Sequence, residues 1–411
     1  MTLTSGRAEG GPVATPSLSS WHPGGHKFGM LAGVLLLVFG IYSVAYWVAT
    51  LTSGAPHLFG DAFGLWSWAR FLDTHPASEI YDPAALHTAQ VALGFDRDFS
   101  FAYPPTFLLV LRPMGLLPCG IAIAAMIAVT GALYLWATVG REWRFSLLLA
   151  AIVAPTTTMT IVAGQCGFLT AALLIGGFRL VDRRPILAGV LFGLLSYKPQ
   201  FGLLVPVALL AARLWSSIAA GAITVVALVI ATSALFGATV WPSWIATLPA
   251  YSHHFAAESS GVLHLMPTVL ATLLQFGVSP AIAGPMQWSA TIAAGVIVWI
   301  SFRFGQHELA VAGLVAASFL ATPYAFVYDM PTVTTAVLWV IAERRRSGDS
   351  FGSDEVLVLM LAMIAPITLP AGAVHFPLVA VSLVLLLVVI LRRIWSLRSR
   401  ALAVPALPEA A

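Results

Sequence analysis

Long uncharged apolar blocks alternate with short polar punctuation along most of this chain. The first block, Phe28 to Leu51, contains no charged residue and exceeds the roughly 20 residues that a helix needs to cross a bilayer. Comparable blocks at 28–51, 119–139, 145–163, 165–181, 186–197, 200–215, 216–237, 283–302, 307–321, 326–342, 355–370 and 375–394 predict twelve spans. In lipid every backbone polar group needs a partner within the protein, so only helices or closed barrels cross. The alternating ten-residue strand pattern of a barrel is absent, and the pattern predicts an all-α polytopic membrane protein, a bundle of about 12 transmembrane helices.

Composition agrees: 59% of residues are apolar and 9% charged, against about 25% charged in soluble domains. The net charge of +3 says little, but the placement of the charges says more. Twelve spans put both termini on one side, and 16 of the 20 Lys and Arg residues then fall on that side: Arg7, Lys27, Arg141, Arg144, Arg179, Arg183, Arg184, Arg213, Arg303, Arg344 to Arg346, Arg392, Arg393, Arg398 and Arg400. The positive-inside rule makes that face cytoplasmic. Two further apolar stretches, Pro104–Leu117 and His264–Phe276, are read as re-entrant or interfacial. Counting both as spans would place Arg141, Arg144, Arg183 and Arg184 outside.

The resulting organisation is a disordered cytoplasmic tail (1–27), a transmembrane unit (28–395) and a second cytoplasmic tail (396–411), in the inner or plasma membrane. The N-terminus is Gly/Ser/Thr/Pro-rich, without the apolar core of a signal peptide. Two large loops, 52–118 and 238–282, face outward. The first carries helix signals at Ala62–Leu72, amphipathic and expected in the headgroup region, and at Pro83–Leu93, with Asp82 as N-cap and Pro83 at the first helical position.

The membrane-level polar residues collect at the outer end of this topology. They are Asp61, directly after the first span; Tyr103-Pro104-Pro105; Gly164-Gln165; Tyr197-Lys198-Pro199-Gln200; His253-His254 and Glu258; and Thr322-Pro323-Tyr324 with Tyr328-Asp329. Ionisable groups in or beside the membrane are costly and mark functional sites. Each also has a plainer reading. Asp61 could cap a helix starting at Ala62, Lys198 could snorkel to headgroups, Asp329 could cap the following helix or pair with Lys198, and the histidines could be interfacial.

Taken together, these motifs resemble glycosyltransferase family 87, polytopic GT-C enzymes that include polyprenol-phosphate-mannose-dependent mannosyltransferases. The matching pieces are Gly60-Asp61, Ile80-Tyr81-Asp82-Pro83, Phe101-Ala102-Tyr103-Pro104-Pro105 leading to Leu116-Leu117-Pro118, Gly164-Gln165, Ala188-Gly189-Val190-Leu191-Phe192-Gly193 running into Lys198-Pro199-Gln200, and Thr322-Pro323-Tyr324 with Tyr328-Asp329. Cys166-Gly167 departs from the pattern, since the family often has an Asn soon after the Gln. The resemblance implies a GT-C-type bundle and transfer of a hexose, by default mannose, from a polyprenyl-phosphate donor to a lipid or glycan acceptor outside the cytoplasm, with inversion. On that reading Asp61 is the base that takes the acceptor proton. Lys198 neutralises the departing phosphate, Gln165, Tyr103, Tyr324 and Asp329 orient sugar hydroxyls, and His253 and His254 are counted with the donor-binding residues.

No cofactor and no metal is expected. Asp96-Arg97-Asp98 has a D-x-D form but sits in a polar loop after a helix, and no Cys/His set has metal spacing. Cys119 and Cys166 both fall near outer ends of spans, so a disulfide is geometrically open, although buried free thiols are the commoner state. A transporter or flippase of lipid-linked sugars is the competing reading. It would favour inverted repeats and midplane charges, whereas here the charges gather towards one surface. An O-antigen-ligase-like transferase with a diphosphate donor is a further alternative.

Overall fold

The computed structural model describes residues 60–94, 99–140, 145–257, 263–368 and 377–403, with isolated positions between 34 and 45; for 250–257 and 403 it describes the backbone alone. The predicted tail 1–27, the predicted tail 396–411 beyond residue 403, most of the Phe28–Leu51 span, Arg141, Arg144, Glu258 and the Asp96-Arg97-Asp98 motif lie outside the described residues, while residues 396–403 continue the helix Leu378–Ala403. Among the described residues all regular structure is helical, with no strand.

The helices fall into two kinds. Cys119–Val139, Trp215–Phe236, Pro280–Phe304 and Leu378–Leu402 are each long and apolar enough to cross a membrane. Phe145–Val153 and Pro155–Ala163 add a fifth candidate if this pair, bent by 49°, counts as one span. These long helices turn large apolar side chains outward, among them Ile121, Val129, Ile223, Ile230, Ile292, Val296 and Val384. A stripe of that kind belongs against lipid.

The second kind is short and central. Gly167–Leu180, His307–Ala321 and Pro331–Arg346 have 14, 15 and 16 residues, which makes them about 21–24 Å long against a hydrocarbon core of roughly 30 Å. Every residue of His307–Ala321 from Leu309 onward is buried. Its Ala, Gly and Ser positions let neighbouring backbones approach closely, which is how helices associate where no hydrophobic effect drives them together. Two more short helical runs, Pro185–Tyr197 and Pro199–Ala211, meet at Lys198. Where one span was expected at 200–215, the structure has Pro199–Gly202 and Val205–Ala211, broken between them.

Several basic residues gather at one end of this bundle, where Arg344, Arg346, Arg392, Arg393 and Arg400 pair with carboxylates. Arg393, 2% exposed, donates to both carboxylate oxygens of Glu343 at 2.9 and 3.0 Å. Arg400 reaches Asp349 at 3.0 Å and Arg346 reaches Glu308 at 2.9 Å, while Arg344 pairs with Glu355. Hydrogen bonds from Arg393 and Arg400 hold the Asp349 carboxyl below the ordinary carboxylate range. Arg179 donates to the carbonyls of Ala137 and Thr138 at 2.6 and 2.8 Å, satisfying acceptors that the end of Cys119–Val139 leaves free. The opposite ends of these short helices carry Gln165, Lys198 and the Thr322–Asp329 turn.

The outer-loop segments differ from expectation in two respects. The first helix, Gly60–Phe71, does not lie along the surface. Ala62, Leu65, Ser67, Trp68 and Ala69 are all buried, because the helix packs into the protein. The segment expected to be the second loop, 238–282, contains the 18-residue helix Val240–Ala257 and shorter helical stretches. The other loop helix, Pro83–Ala92, matches its prediction: Asp82 Oδ1 accepts from the Ala84 amide at 2.9 Å. The stretches Pro104–Leu117 and His264–Phe276 contain short helices, none of span length.

Glu343→Gln takes away the buried carboxylate of Arg393 and leaves that guanidinium only the partly buried Asp349. It is therefore expected to lower stability by about 2 kcal/mol, read as a lower midpoint of thermal unfolding in detergent. The double substitution Glu343→Leu/Arg393→Met should recover most of that loss.

Candidate active site

Asp61 is the second residue of Gly60–Phe71, inside its first turn, where the helix dipole favours a carboxylate. It does not serve as an N-cap. Its Oδ2 accepts a hydrogen bond from Gln165 Nε2 at 3.3 Å. Gln165 reaches this position because the chain reverses at Gly164, whose φ is +61° and where an added Cβ would stand 2.2 Å from Ala62 Cβ. Only glycine tolerates both the dihedral and the approach. The other end of the amide, Gln165 Oε1, accepts from the Tyr103 hydroxyl at 3.3 Å. Asp61, Gln165 and Tyr103 thus form a hydrogen-bonded line across three distant parts of the chain.

Tyr103 is fixed through its backbone and its ring. Tyr81 Oη donates to its carbonyl at 2.8 Å, Trp244 Nε1 donates to the neighbouring Ala102 carbonyl at 3.3 Å, and Phe107 stacks on its ring at 4.3 Å.

Lys198 stands at the reversal between the 3₁₀ turn Leu195–Tyr197 and the helix that Pro199 begins. The run Pro185–Tyr197 carries it only about 20 Å from the basic end, so the lysine is recessed within the bundle and is 2% exposed. Its Nζ lies 2.6 Å from Asp329 Oδ1, and Asp329 is 1% exposed. The rings of Tyr328 and Tyr103 approach the ammonium at 5.1 and 5.9 Å, within cation–π range. Tyr103 therefore joins the two halves of the site, with its hydroxyl on Gln165 and its ring towards Lys198.

Asp329 is presented by the 3₁₀ turn Val327–Asp329, which precedes the helix starting at Pro331. Thr160 Oγ1 donates to the Tyr328 carbonyl at 2.7 Å. A Cβ at Gly167 would lie 1.8 Å from that same oxygen, so the turn can pass here only because residue 167 has no side chain.

Asp61 is partly exposed, whereas Lys198 and Asp329 are buried. Burial raises the Asp61 pKa above the ordinary carboxylate value, although the Gln165 hydrogen bond and the Lys198 charge pull it down. A carboxylate of this kind suits proton abstraction better than an exposed aspartate does, since a base works best with a pKa closer to the operating pH.

Of the residues expected at the site, Asp61, Tyr103, Gln165, Lys198 and Asp329 come together. Tyr324 packs in a small apolar cluster with Leu263, Met266 and Ala271; Phe326, in the same cluster, stacks on Tyr328 at 5.2 Å, so this cluster borders the site. The side chains of His253 and His254 lie outside the described residues, and their backbone belongs to Val240–Ala257. Sequence reasoning did not assign roles to Tyr328, Thr160 or Cys166. The aromatic beside Asp329 and the hydroxyl run Thr156–Thr160 were the available signals. Cys166 Sγ lies 3.8 Å from both the Tyr103 hydroxyl and Gln165 Oε1, and both cysteines are free. Among the described residues no three His, Cys, Asp or Glu side chains gather where they could hold a metal ion.

The sequence profile of glycosyltransferase family 87 matches residues 101–326, more than half of the chain. The chain belongs to glycosyltransferase family 87. No curated protein and no solved structure matches it. The matched segment contains Tyr103, Gln165 and Lys198, while Asp329 lies three residues beyond its end and Asp61 forty residues before its start. A family 87 protein with apolar helices of spanning length is a membrane glycosyltransferase, and it takes a sugar donor and an acceptor.

Two substitutions probe the Asp61 arrangement. Gly164→Ala drives the Gly60–Phe71 helix away from Gln165, and kcat/KM should fall about 100-fold, the usual cost of misplacing a reacting group by 1 Å. Gln165→Leu removes the hydrogen bond that favours ionised Asp61. The acidic limb of the pH–rate profile, where the base becomes protonated and activity is lost, should then move to higher pH.

Proposed function

We propose that the protein is an inverting hexosyltransferase using a polyprenyl-phosphate-linked sugar, by family default mannose, and a lipid or glycan acceptor. It would act at the outer face of the inner or plasma membrane. The observation that carries this reading is the pairing of one partly exposed carboxylate, Asp61, with one buried cation, Lys198, bridged by Tyr103 and Gln165. In this mechanism Asp61 takes the proton of the acceptor hydroxyl as that oxygen attacks the anomeric carbon. The lipid phosphate leaves from the opposite face towards Lys198, and Gln165, Tyr103, Tyr324 and Asp329 border the sugar. By the family resemblance His253 and His254 are proposed to take part in donor binding.

A divalent cation is not needed on this reading, because a monophosphate is a reasonable leaving group beside an ammonium. At about 4 Å and an effective dielectric near 20, that attraction is worth roughly 4 kcal/mol before desolvation. The proposed topology has about twelve spans within 28–395 and loops 52–118 and 238–282 outside. It places the basic end in the cytoplasm by the positive-inside rule, which leaves the Asp61–Lys198 end facing outward.

The test is transfer by membranes supplied with labelled polyprenyl-phosphate hexoses. Asp61→Asn should abolish product formation while the donor still binds, and Lys198→Met should lower turnover roughly 100- to 1,000-fold. Chelation by EDTA should leave the rate unchanged. Near-normal turnover in Asp61→Asn would remove it from the role of base. Loss of activity in EDTA, restored by magnesium or manganese, would bring Asp96 and Asp98 back as ligands.

A further inference from the structure

Lys198 is already paired before any substrate enters. Its ammonium bonds Asp329 at 2.6 Å, and both side chains are closed off from solvent. The titratable groups that interact with this pair are the thiol of Cys166 and the phenols of Tyr103 and Tyr197, with the Tyr328 ring 5.1 Å from the ammonium; none of them is cationic in any protonation state. Asp61 adds a second carboxylate within reach of the same lysine's field. Among the described residues the site therefore holds two carboxylates and one cation, a net charge of −1 when all three are ionised. An anion arriving beside Lys198 would meet a cation already in use and an excess of negative charge.

We propose that Asp329 is an exchangeable counter-ion for Lys198, giving up the ammonium to an incoming phosphodiester and taking one proton from solvent as it does so. The proposal rests on the reading of the donor as a phosphate-linked sugar. No covalent bond breaks in this step. One solvent proton adds to an Asp329 oxygen, the donor's phosphoryl oxygens take its place on Nζ, and the net charge of the site stays at −1. Asp329 thus acts through Lys198 as a positioning residue. The 2.6 Å contact keeps the ammonium charged in an apolar bundle until a ligand replaces it, because an unpaired buried lysine would lose its proton. The presenting turn is suited to this part. Asp329 sits in three residues of 3₁₀ structure between helices, anchored by Thr160 through the Tyr328 carbonyl, with a backbone hydrogen bond from Phe326 on its carboxylate.

Proton uptake linked to binding has a defined signature. Donor affinity should weaken tenfold per pH unit wherever Asp329 is ionised in the empty protein. The dependence of kcat should run the other way, falling at low pH as Asp61 becomes protonated.

The experiment is calorimetric titration of the full-length protein in detergent with farnesyl phosphoryl mannose, a diester with one fixed charge across about pH 5 to 9. Titrations in buffers of different ionisation enthalpy count the protons. We expect about one proton taken up per donor bound at neutral pH, and the same uptake in Asp61→Asn. In the double variant Lys198→Met/Asp329→Asn, which removes both members of the pair, uptake should vanish and the dissociation constant should no longer vary with pH. Donor binding without proton uptake in the wild-type protein would overturn the exchange while leaving the phosphodiester donor in place, and this measurement decides even if the double variant fails to fold. Uptake that persists in the double variant, or disappears in Asp61→Asn, assigns the proton elsewhere and also overturns it. No binding at any pH would overturn the donor reading itself.

Discussion

A charged lysine inside an apolar helical bundle must have its charge matched at hydrogen-bond distance, and the architecture around Lys198 follows from that requirement. Moving an ammonium and a carboxylate out of water costs several kcal/mol each, recovered only when the pair is close and well oriented. Asp329, 131 residues away in sequence, meets the condition at 2.6 Å. To bring it there the Val327–Asp329 turn has to pass directly over residue 167, which must be glycine, and has to be tied down by the hydroxyl of Thr160. The reversal at Lys198 in turn needs Pro199 to start a new helix.

The short central helices are the other half of this arrangement. A full-length span would carry its polar ends to the membrane surface. Helices of 14 to 16 residues end inside the protein instead, where turns, backbone groups and polar side chains meet. Irregular backbone at such depth is tolerated only where protein or a polar cavity surrounds it. Here the longer helices carry the exposed apolar faces, and the largely buried Gly60–Phe71 helix brings Asp61 to Gln165.

Much of this could be read along the chain. The apolar blocks and the absence of strand patterning announced a helical membrane protein, and the Asp82-Pro83 pair marked a helix start. Pairing between Lys198 and Asp329 was one of two readings, and the geometry selects it over capping. Other features were not legible, for physical reasons. Apolar side chains look the same in sequence whether lipid or protein covers them, so the burial of Gly60–Phe71 and the central place of His307–Ala321 could not be told from a surface or spanning helix. The helix Val240–Ala257 contains Pro249 and two histidines, which reads as loop punctuation. The Thr160 anchor depends on a carbonyl 168 residues away, and no local pattern encodes that.

The central claim is that one carboxylate acts as base and one buried cation receives the leaving group on the opposite side of the sugar. The anomeric configuration of the product tests it most directly. With a β-linked polyprenyl-phosphate sugar, the one-bond carbon–proton coupling at C1 of the product should report an α-glycoside, the outcome of a single displacement. A β-glycoside would mean retention, would require a second nucleophile at the site, and would contradict the account.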